Sequence, residues 1–162
     1  MENIIIYSGP VGSGKTKSLN DWIADKKGIK GILSPQVNGL RFIQDLETKV
    51  YHPLEVKEKL EPVVEIGKFI FLKAGLEKAR DILINSALSK PEWLVIDPIG
   101  KLELQGEGFE PAARIVINLY ITTQNRQKLI LIVRKNLLKE VVQHYGINDY
   151  RLINNIAQLN QL

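Results

Sequence analysis

The stretch Gly9–Thr16 constrains the fold of this 162-residue chain more than any other. It reads Gly-Pro-Val-Gly-Ser-Gly-Lys-Thr and matches the pattern G-x-x-x-x-G-K-[ST]. A short apolar run, Asn3–Tyr7, precedes it, and a segment with helical periodicity, Lys15–Lys26, follows it. A strand, a glycine-rich loop and a helix in this order are what a phosphate-binding loop requires.

The residue types of this loop suit a polyphosphate. Glycine at positions 9, 12 and 14 lets the backbone N–H groups wrap the β- and γ-phosphates, and the start of the following helix adds its unpaired N–H groups and positive dipole end. Lys15 supplies a full positive charge, and the Thr16 hydroxyl can bind the Mg²⁺ that bridges the phosphates. The alternative is a glycine-rich turn that binds nothing. The predicted phosphate-binding residues are Gly9, Pro10, Val11, Gly12, Ser13, Gly14, Lys15, Thr16 and Lys17.

The length of 162 residues favours one domain, residues 1–162. Apolar residues make up 44% and charged residues 25% of the chain, which is typical of a soluble globular protein. The lack of cysteine excludes disulfides and thiolate metal sites, and it fits the cytoplasm. The formal net charge is +4, but lysines alternate with acids, as in Lys57-Glu58-Lys59, so a solvated surface is favoured over a nucleic-acid partner. Since no apolar run approaches 18 residues, we expect no membrane span. The short N-terminal apolar run is broken by Ser8-Gly9-Pro10, so we expect no secretory signal.

Strand and helix patterns alternate along the chain. Asn38-Gly39 between two extended runs predicts a β-hairpin near residues 31–46, and the polar segment Glu47–Glu65 reads as irregular, either a mobile lid or a surface loop. Helices are predicted over Ala74–Leu88, Gly108–Gln124 and from an Asn136 cap to Tyr145; further strands are predicted over Lys68–Leu72, Trp93–Asp97, Lys128–Val133 and Arg151–Ile153. The predicted fold class is α/β, with a mostly parallel sheet covered by helices on both faces.

Two further side chains are expected beside the loop, because each follows a buried strand at the same edge of the sheet. Asp97 closes the apolar run Trp93–Ile96 and is the candidate second ligand of Mg²⁺, opposite Thr16; the alternative is a strand-end cap. Arg134 or Lys135 could neutralise charge on the γ-phosphate, or be a solvent-facing charge.

From Asp97 onward the sequence resembles a known family, the small nucleoside-triphosphatases first described from thermophiles, which have a P-loop NTPase fold. Their second motif has the form Asp-Glu-Ile-Gly-Lys-Met-Glu-Leu, and this chain reads Asp-Pro-Ile-Gly-Lys-Leu-Glu-Leu over 97–104. The likeness extends to Gly31–Pro35 and to Ile66–Phe69. The resemblance implies the three-layer fold of that family and Mg²⁺-dependent hydrolysis of nucleoside triphosphates such as ATP or GTP, with loose selectivity for the base.

One departure from the family pattern bears on the activity. The family's glutamate after the aspartate, which positions the attacking water, is Pro98 here, and proline has neither a carboxylate nor an N–H group. Gln36 likewise stands where the family commonly has an acid. Glu103 is the remaining carboxylate of the motif and could align water or support Mg²⁺, or be a solvated loop acid; Lys101 could contact the γ-phosphate.

Three functions compete at this stage. The first is a slow nucleoside-triphosphatase in which Lys15, Glu103, Lys101 and Arg134 are the candidate catalytic residues. The second is a nucleotide-binding switch or regulatory module with little hydrolysis, which Pro98 supports. The third is a small-molecule kinase, but the segment 47–65 has no arginine of the kind that a kinase lid uses.

Overall fold

The computed structural model describes residues 2–10, 12–123 and 126–162 of the chain. Ten β-strands are found within these ranges: β1 (Ile4–Gly9), β2 (Ile29–Leu33), β3 (Gln36–Val37), β4 (Leu40–Asp45), β5 (Tyr51–Pro53), β6 (Val63–Ile66), β7 (Phe69–Leu72), β8 (Trp93–Ile99), β9 (Lys128–Arg134) and β10 (Arg151–Ile153). The same ranges contain five α-helices: α1 (Lys15–Ile23), α2 (Lys73–Leu88), α3 (Lys101–Leu104), α4 (Ala112–Thr122) and α5 (Leu138–Tyr145). Two 3-10 segments are Lys135–Leu137 and Ile156–Gln161.

The main sheet is mostly parallel, as the sequence predicts. Its strand order is β10-β1-β9-β8-β2-β4-β3, and β5 pairs with β4 at the side. The first five strands of this order are parallel, and β4 adds antiparallel to β2. Strand β9 therefore lies between β1, which leads into the glycine-rich loop, and β8, which carries Asp97.

Helices cover both faces of this sheet. Alternate residues of the central strands, such as Ile6 and Ile96, pack against α2, α4 and α5, and the residues between them, such as Ile5 and Val95, pack against α1 and the final 3-10 segment. Since the parallel strands are apolar on both faces, they read in the sequence as continuous runs. The result is the predicted three-layer α/β fold.

The predicted hairpin is also present. Strands β3 and β4 pair antiparallel around Asn38-Gly39, and both turn residues have positive φ, as a two-residue hairpin turn requires. Strand β2 belongs to the parallel part of the sheet, and β4 returns alongside it, with Leu33 paired to Gln44. The hairpin thus extends the sheet beyond β2, close to the edge where Asp97 lies.

The prediction of an irregular segment over Glu47–Glu65 is wrong in two places. Strand β5 pairs with β4, and β6 pairs with β7 in a separate two-stranded sheet. Prolines at positions 53 and 62 obscured both strands, because proline lowers the strand signal although it is tolerated on an edge.

Helix α1 ends at Ile23, before the predicted end at Lys26, and boundaries of two other helices also differ from prediction. Helix α4 begins at Ala112 and not at Gly108, whose φ of 65° is left-handed and not helical, and the predicted end at Gln124 lies outside the described residues. Asn136 does not cap α5, because it lies inside a 3-10 turn and Leu137 occupies the N-cap position. The end of α5 at Gly146 in left-handed conformation agrees with prediction.

No helix in the described part of the chain is both long enough and apolar enough to cross a membrane.

Candidate functional site

The glycine-rich loop joins the end of β1 to the start of α1. Gly12 and Gly14 have φ values of 75° and 78°, and a Cβ atom built on either would meet no atom within 4 Å. These two glycines therefore allow the left-handed backbone conformation of the loop. They also leave open space in front of the loop backbone, which a phosphate group would need in order to reach the N–H groups. The predicted phosphate-binding residue Val11 lies outside the described residues; Pro10, Ser13 and Lys17 are exposed.

Lys15 is the first residue of α1, and its side chain folds back over the loop. Its Nζ donates hydrogen bonds to the carbonyl oxygens of Gly9 (3.2 Å) and Pro10 (2.9 Å) and to Ser13 Oγ (3.2 Å). Partial burial lowers the pKa of Lys15, the charge of Asp97 raises it, and the charge of Arg134 lowers it further. The ammonium group therefore lies among the loop, Asp97 and Arg134, where an anion would compensate the excess positive charge.

Thr16 and Asp97 face one another across the edge of the sheet. Thr16 Oγ1 donates a 2.8 Å hydrogen bond to Asp97 Oδ2. Because Thr16 is the second residue of α1 and Asp97 lies near the end of β8, this contact joins the loop to the acid-bearing strand. The predicted proximity of the two side chains is therefore found.

Asp97 is buried and well supplied with donors. Its Oδ2 also accepts the Ser34 N–H at 3.1 Å, and its carbonyl oxygen accepts the Ser34 hydroxyl at 2.5 Å. Burial raises the pKa of Asp97, while the hydrogen bonds from Thr16 and Ser34 and the charges of Arg41 and Lys15 lower it. A divalent cation at this carboxylate would favour the ionised form and offset the cost of burying it.

The residues present fit Mg²⁺. A hydroxyl and a carboxylate at hydrogen-bond distance are hard oxygen donors, and Mg²⁺ usually takes one or two protein ligands, with phosphate oxygens and water completing its shell. Within the described residues no group of three or more His, Asp and Glu side chains forms a metal cage. With only these two protein donors, a Mg²⁺ ion here would need phosphate oxygens or water to complete its shell.

The other predicted cations lie at different places along the same edge. Arg134 ends β9 directly beside Gly9, is exposed, and is close enough to Lys15 to affect its pKa. Lys135 follows it and is also exposed. Lys101 is the exposed first residue of α3. Arg134 is thus the cation that the fold brings to the loop, and the predicted roles of Arg134 and Lys101 at a phosphate remain predictions.

Glu103 is not the solvated loop acid that one interpretation of the sequence expected, since only 4% of it is exposed. Its two carboxylate oxygens accept the N–H groups of Gly100 (2.9 Å) and Phe109 (3.0 Å). Burial raises the pKa of Glu103 to about 7, although the hydrogen bonds from Phe109 and Gly100 lower it. The carboxylate therefore holds the two ends of the segment 100–109 together, and its predicted role at Mg²⁺ or the attacking water remains a prediction.

Pro98 lies directly beyond Asp97, at a point where the pairing of β8 with β9 shifts register between Ile96 and Ile99. Proline has no N–H group to donate to a neighbouring strand, so it is tolerated where the regular strand pairing is interrupted. The side chain after the candidate metal ligand thus has no group that could orient water.

Two residues of this region were missed by the sequence analysis. Ser34 binds Asp97 through its N–H and hydroxyl groups, and Arg41 of β4 donates from Nη1 to the Ser34 carbonyl oxygen at 2.8 Å. Ser34 could have been found, because it lies in the stretch Gly31–Pro35 that carries part of the family resemblance, and in the structure it directly follows β2 at the same edge as Asp97. Arg41 could not, since only the path of the hairpin brings it there.

Comparisons with known proteins agree with this geometry. The structure resembles the crystal structure of THEP1 from the hyperthermophile Aquifex aeolicus with a TM-score of 0.68 and 18% sequence identity, covering 98% of this chain and 93% of that chain. At this identity the likeness shows the fold alone. A search among curated proteins finds no match. The model of the NTPase family matches residues 3–156. Because this match spans nearly the whole sequence, the chain belongs to the NTPase family.

Proposed function

We propose that this protein is a Mg²⁺-dependent nucleoside-triphosphatase that converts NTP to NDP and phosphate, slowly and with loose selectivity for the base. Nucleoside-triphosphatase activity is what the family indicates. The single observation that carries the finer proposal is the 2.8 Å contact between Thr16 and Asp97, directly beyond a glycine-rich loop with open space before its backbone.

Each part of the site has a distinct task in this proposal. The loop amides of residues 9–16 bind the β- and γ-phosphates, and Lys15 exchanges its bonds to loop carbonyls for bonds to phosphate oxygens. Thr16 and Asp97 would hold Mg²⁺, which neutralises phosphate charge when bound. Arg134 and Lys101 are the candidate cations for the γ-phosphate, at the loop and at the start of α3.

The chemical step is an in-line displacement. A water oxygen forms a bond to the γ-phosphorus while the bond from that phosphorus to the β,γ-bridging oxygen breaks, and its electron pair leaves on the diphosphate. The water proton passes to a phosphate oxygen or to solvent. Since Pro98 offers no base at this position, the step relies on positioning and charge, and we expect it to be slow.

A nucleotide-binding switch with little hydrolysis is the second candidate, and Pro98 is the observation that favours it. Both functions need the same phosphate loop, but only the first needs an oriented water. Phosphate release from ATP, GTP, CTP and UTP with Mg²⁺, measured beside a binding titration with each nucleotide, separates them. Turnover with all four supports the enzyme, tight binding without phosphate release supports the switch, and no binding contradicts both.

A further inference from the structure

Arg41 is separated from the glycine-rich loop by the strand of Asp97, because β8 lies between β1 and β4 in the sheet order. Strand β4 carries it, and its Nη1 donates to the carbonyl oxygen of Ser34, whose own N–H group donates to Asp97 Oδ2. One residue, Ser34, thus lies between the guanidinium group and the candidate metal ligand. The positive charge is near enough to lower the pKa of Asp97.

The backbone of Arg41 is held on both sides. Its N–H group donates to Glu55 Oε1 at 3.1 Å, and its carbonyl oxygen accepts the N–H groups of Glu55 (2.9 Å) and Leu54 (3.3 Å). These bonds join the hairpin to the segment after β5 and hold the backbone from which the Arg41 side chain extends, and the side chain itself is held by its bond to Ser34. A group placed in this way loses little conformational entropy when it contacts a substrate.

The guanidinium group is far from fully used. It has five N–H donors. Within the described parts of the chain, the guanidinium group makes one hydrogen bond, to Ser34, and forms no ion pair with an acid. Arg41 is only half-buried, so the remaining donors are open. A guanidinium group with open donors, near the candidate metal ligand, is suited to a phosphate.

We propose that Arg41 binds the γ-phosphate of the nucleotide, on the far side of Asp97 from Lys15. This inference rests on the proposed function, because it requires a nucleoside triphosphate in the loop. The γ-phosphate would then lie between two cations, one from the start of α1 and one from the hairpin. Since a nucleoside diphosphate lacks this group, Arg41 would distinguish triphosphate from diphosphate.

The test compares binding of ATP and ADP, each with Mg²⁺, by the wild type, Arg41→Gln and Arg41→Lys. Glutamine can still donate to the Ser34 carbonyl oxygen but has no charge, whereas lysine keeps the charge without the guanidinium fork. Arg151→Gln is the matched control, because Arg151 is an arginine on β10 that pairs with Glu2 at 3.3 Å.

We expect Arg41→Gln to weaken ATP binding about 10- to 100-fold and ADP binding by no more than about threefold, with Arg41→Lys between it and the wild type. Arg151→Gln should change neither. Equal losses for ATP and ADP, or no loss, would overturn the inference and leave Arg41 as a structural tie to Ser34. If the wild type bound neither nucleotide, the proposed function would fail with it, so the two failures are distinguishable. Should Arg41→Gln unfold, the ATP-to-ADP affinity ratio of Arg41→Lys decides, with an unchanged ratio counting against the inference.

Discussion

Thr16 and Asp97 are 81 residues apart in the sequence, and yet the hydroxyl of one donates a 2.8 Å hydrogen bond to the carboxylate of the other. The contact exists because β1 and β8 end at the same edge of the sheet, and the glycine-rich loop after β1 leads directly into α1 at that edge. Parallel strands bring the residues that follow them to one edge, which is where α/β proteins bind their ligands. The functional proposals above depend on this pair.

Asp97→Asn is expected to raise the Mg²⁺ concentration needed for half-maximal phosphate release by at least about tenfold. Asparagine keeps one oxygen for the Thr16 and Ser34 donors but loses the charge that attracts the metal. Because burial raises the pKa of Asp97, a neutral replacement should not lower the melting temperature. A Mg²⁺ titration of phosphate release, beside a thermal melt, checks both points. An unchanged Mg²⁺ requirement would exclude Asp97 as a ligand.

Pro98→Glu is expected to increase turnover by about 10²-fold, because it places a carboxylate next to the candidate metal ligand where it can orient water. The matched control is Pro98→Ala, which removes the proline ring without adding an acid. Phosphate release at saturating ATP is the measurement. If the glutamate and alanine variants turn over at the same rate, water is positioned elsewhere or another part of the site is missing.

Glu103 should make the protein less stable as the pH rises. Burial raises its pKa from 4.5 to about 7 in the folded state, so between these values the folded chain holds a proton that the unfolded chain has released. The stability that this group contributes is complete below about pH 4.5 and is lost as the pH passes through about 7, by an amount on the order of 3 kcal/mol.

Urea unfolding at pH 5, 6, 7 and 8 tests the effect of Glu103. The decline between pH 5 and 8 should be present in the wild type and reduced in Glu103→Gln, which cannot ionise. Glu107→Gln is the control, because Glu107 is an exposed acid of the same segment and its replacement should leave the decline intact. If the free energy of unfolding declined equally with pH in the wild type and in Glu103→Gln, the decline could not be assigned to Glu103.

Gly108→Ala should destabilise the protein far more than Gly106→Ala, although both glycines have positive φ. A Cβ atom at Gly108 would lie 2.0 Å from Glu103 Oε2, whereas one at Gly106 would meet nothing within 4 Å. The cost at Gly106 is then the left-handed backbone alone, about 1–2 kcal/mol, and Gly108 adds a clash with a buried carboxylate. Chemical unfolding measures the loss of stability in both variants. Equal losses in the free energy of unfolding would mean that the Glu103 side chain can move away from the added methyl group.

The sequence predicted the parts of the fold whose signals are local. The apolar runs of β8 and β9 are buried strands, and Asn38-Gly39 is the turn of a hairpin. Strand β5 was not predicted, because three residues ending in proline carry little strand signal and owe their conformation to pairing with β4. Pairing with a neighbouring strand, and not the residue types of β5 itself, determined this element.

The same distinction holds for the candidate site. The glycine-rich loop and the position of Asp97 beside it were predicted, since a sequence motif and an acid at the end of an apolar run can be seen in the sequence itself. The burial of Glu103 was not, because glutamate is usually exposed and its two backbone donors come together only when the segment 100–109 folds. Arg41 was missed for a related reason, as its place beside Ser34 depends on how the hairpin crosses the sheet edge.

Nucleotide binding by Lys15→Ala and Lys17→Ala tests the central claim, that the loop of residues 9–16 binds a nucleoside triphosphate. Lys15 Nζ contacts the loop carbonyls, whereas the Lys17 side chain is exposed two residues along the same helix. Alanine at position 17 keeps the backbone N–H, the group by which a residue at a helix start binds phosphate, so this predicted binding residue still serves as the control. Titration with ATP and Mg²⁺ should show binding by the wild type and by Lys17→Ala, and a loss of about 100-fold or more in Lys15→Ala. Equal affinity of the two variants for ATP would contradict the account.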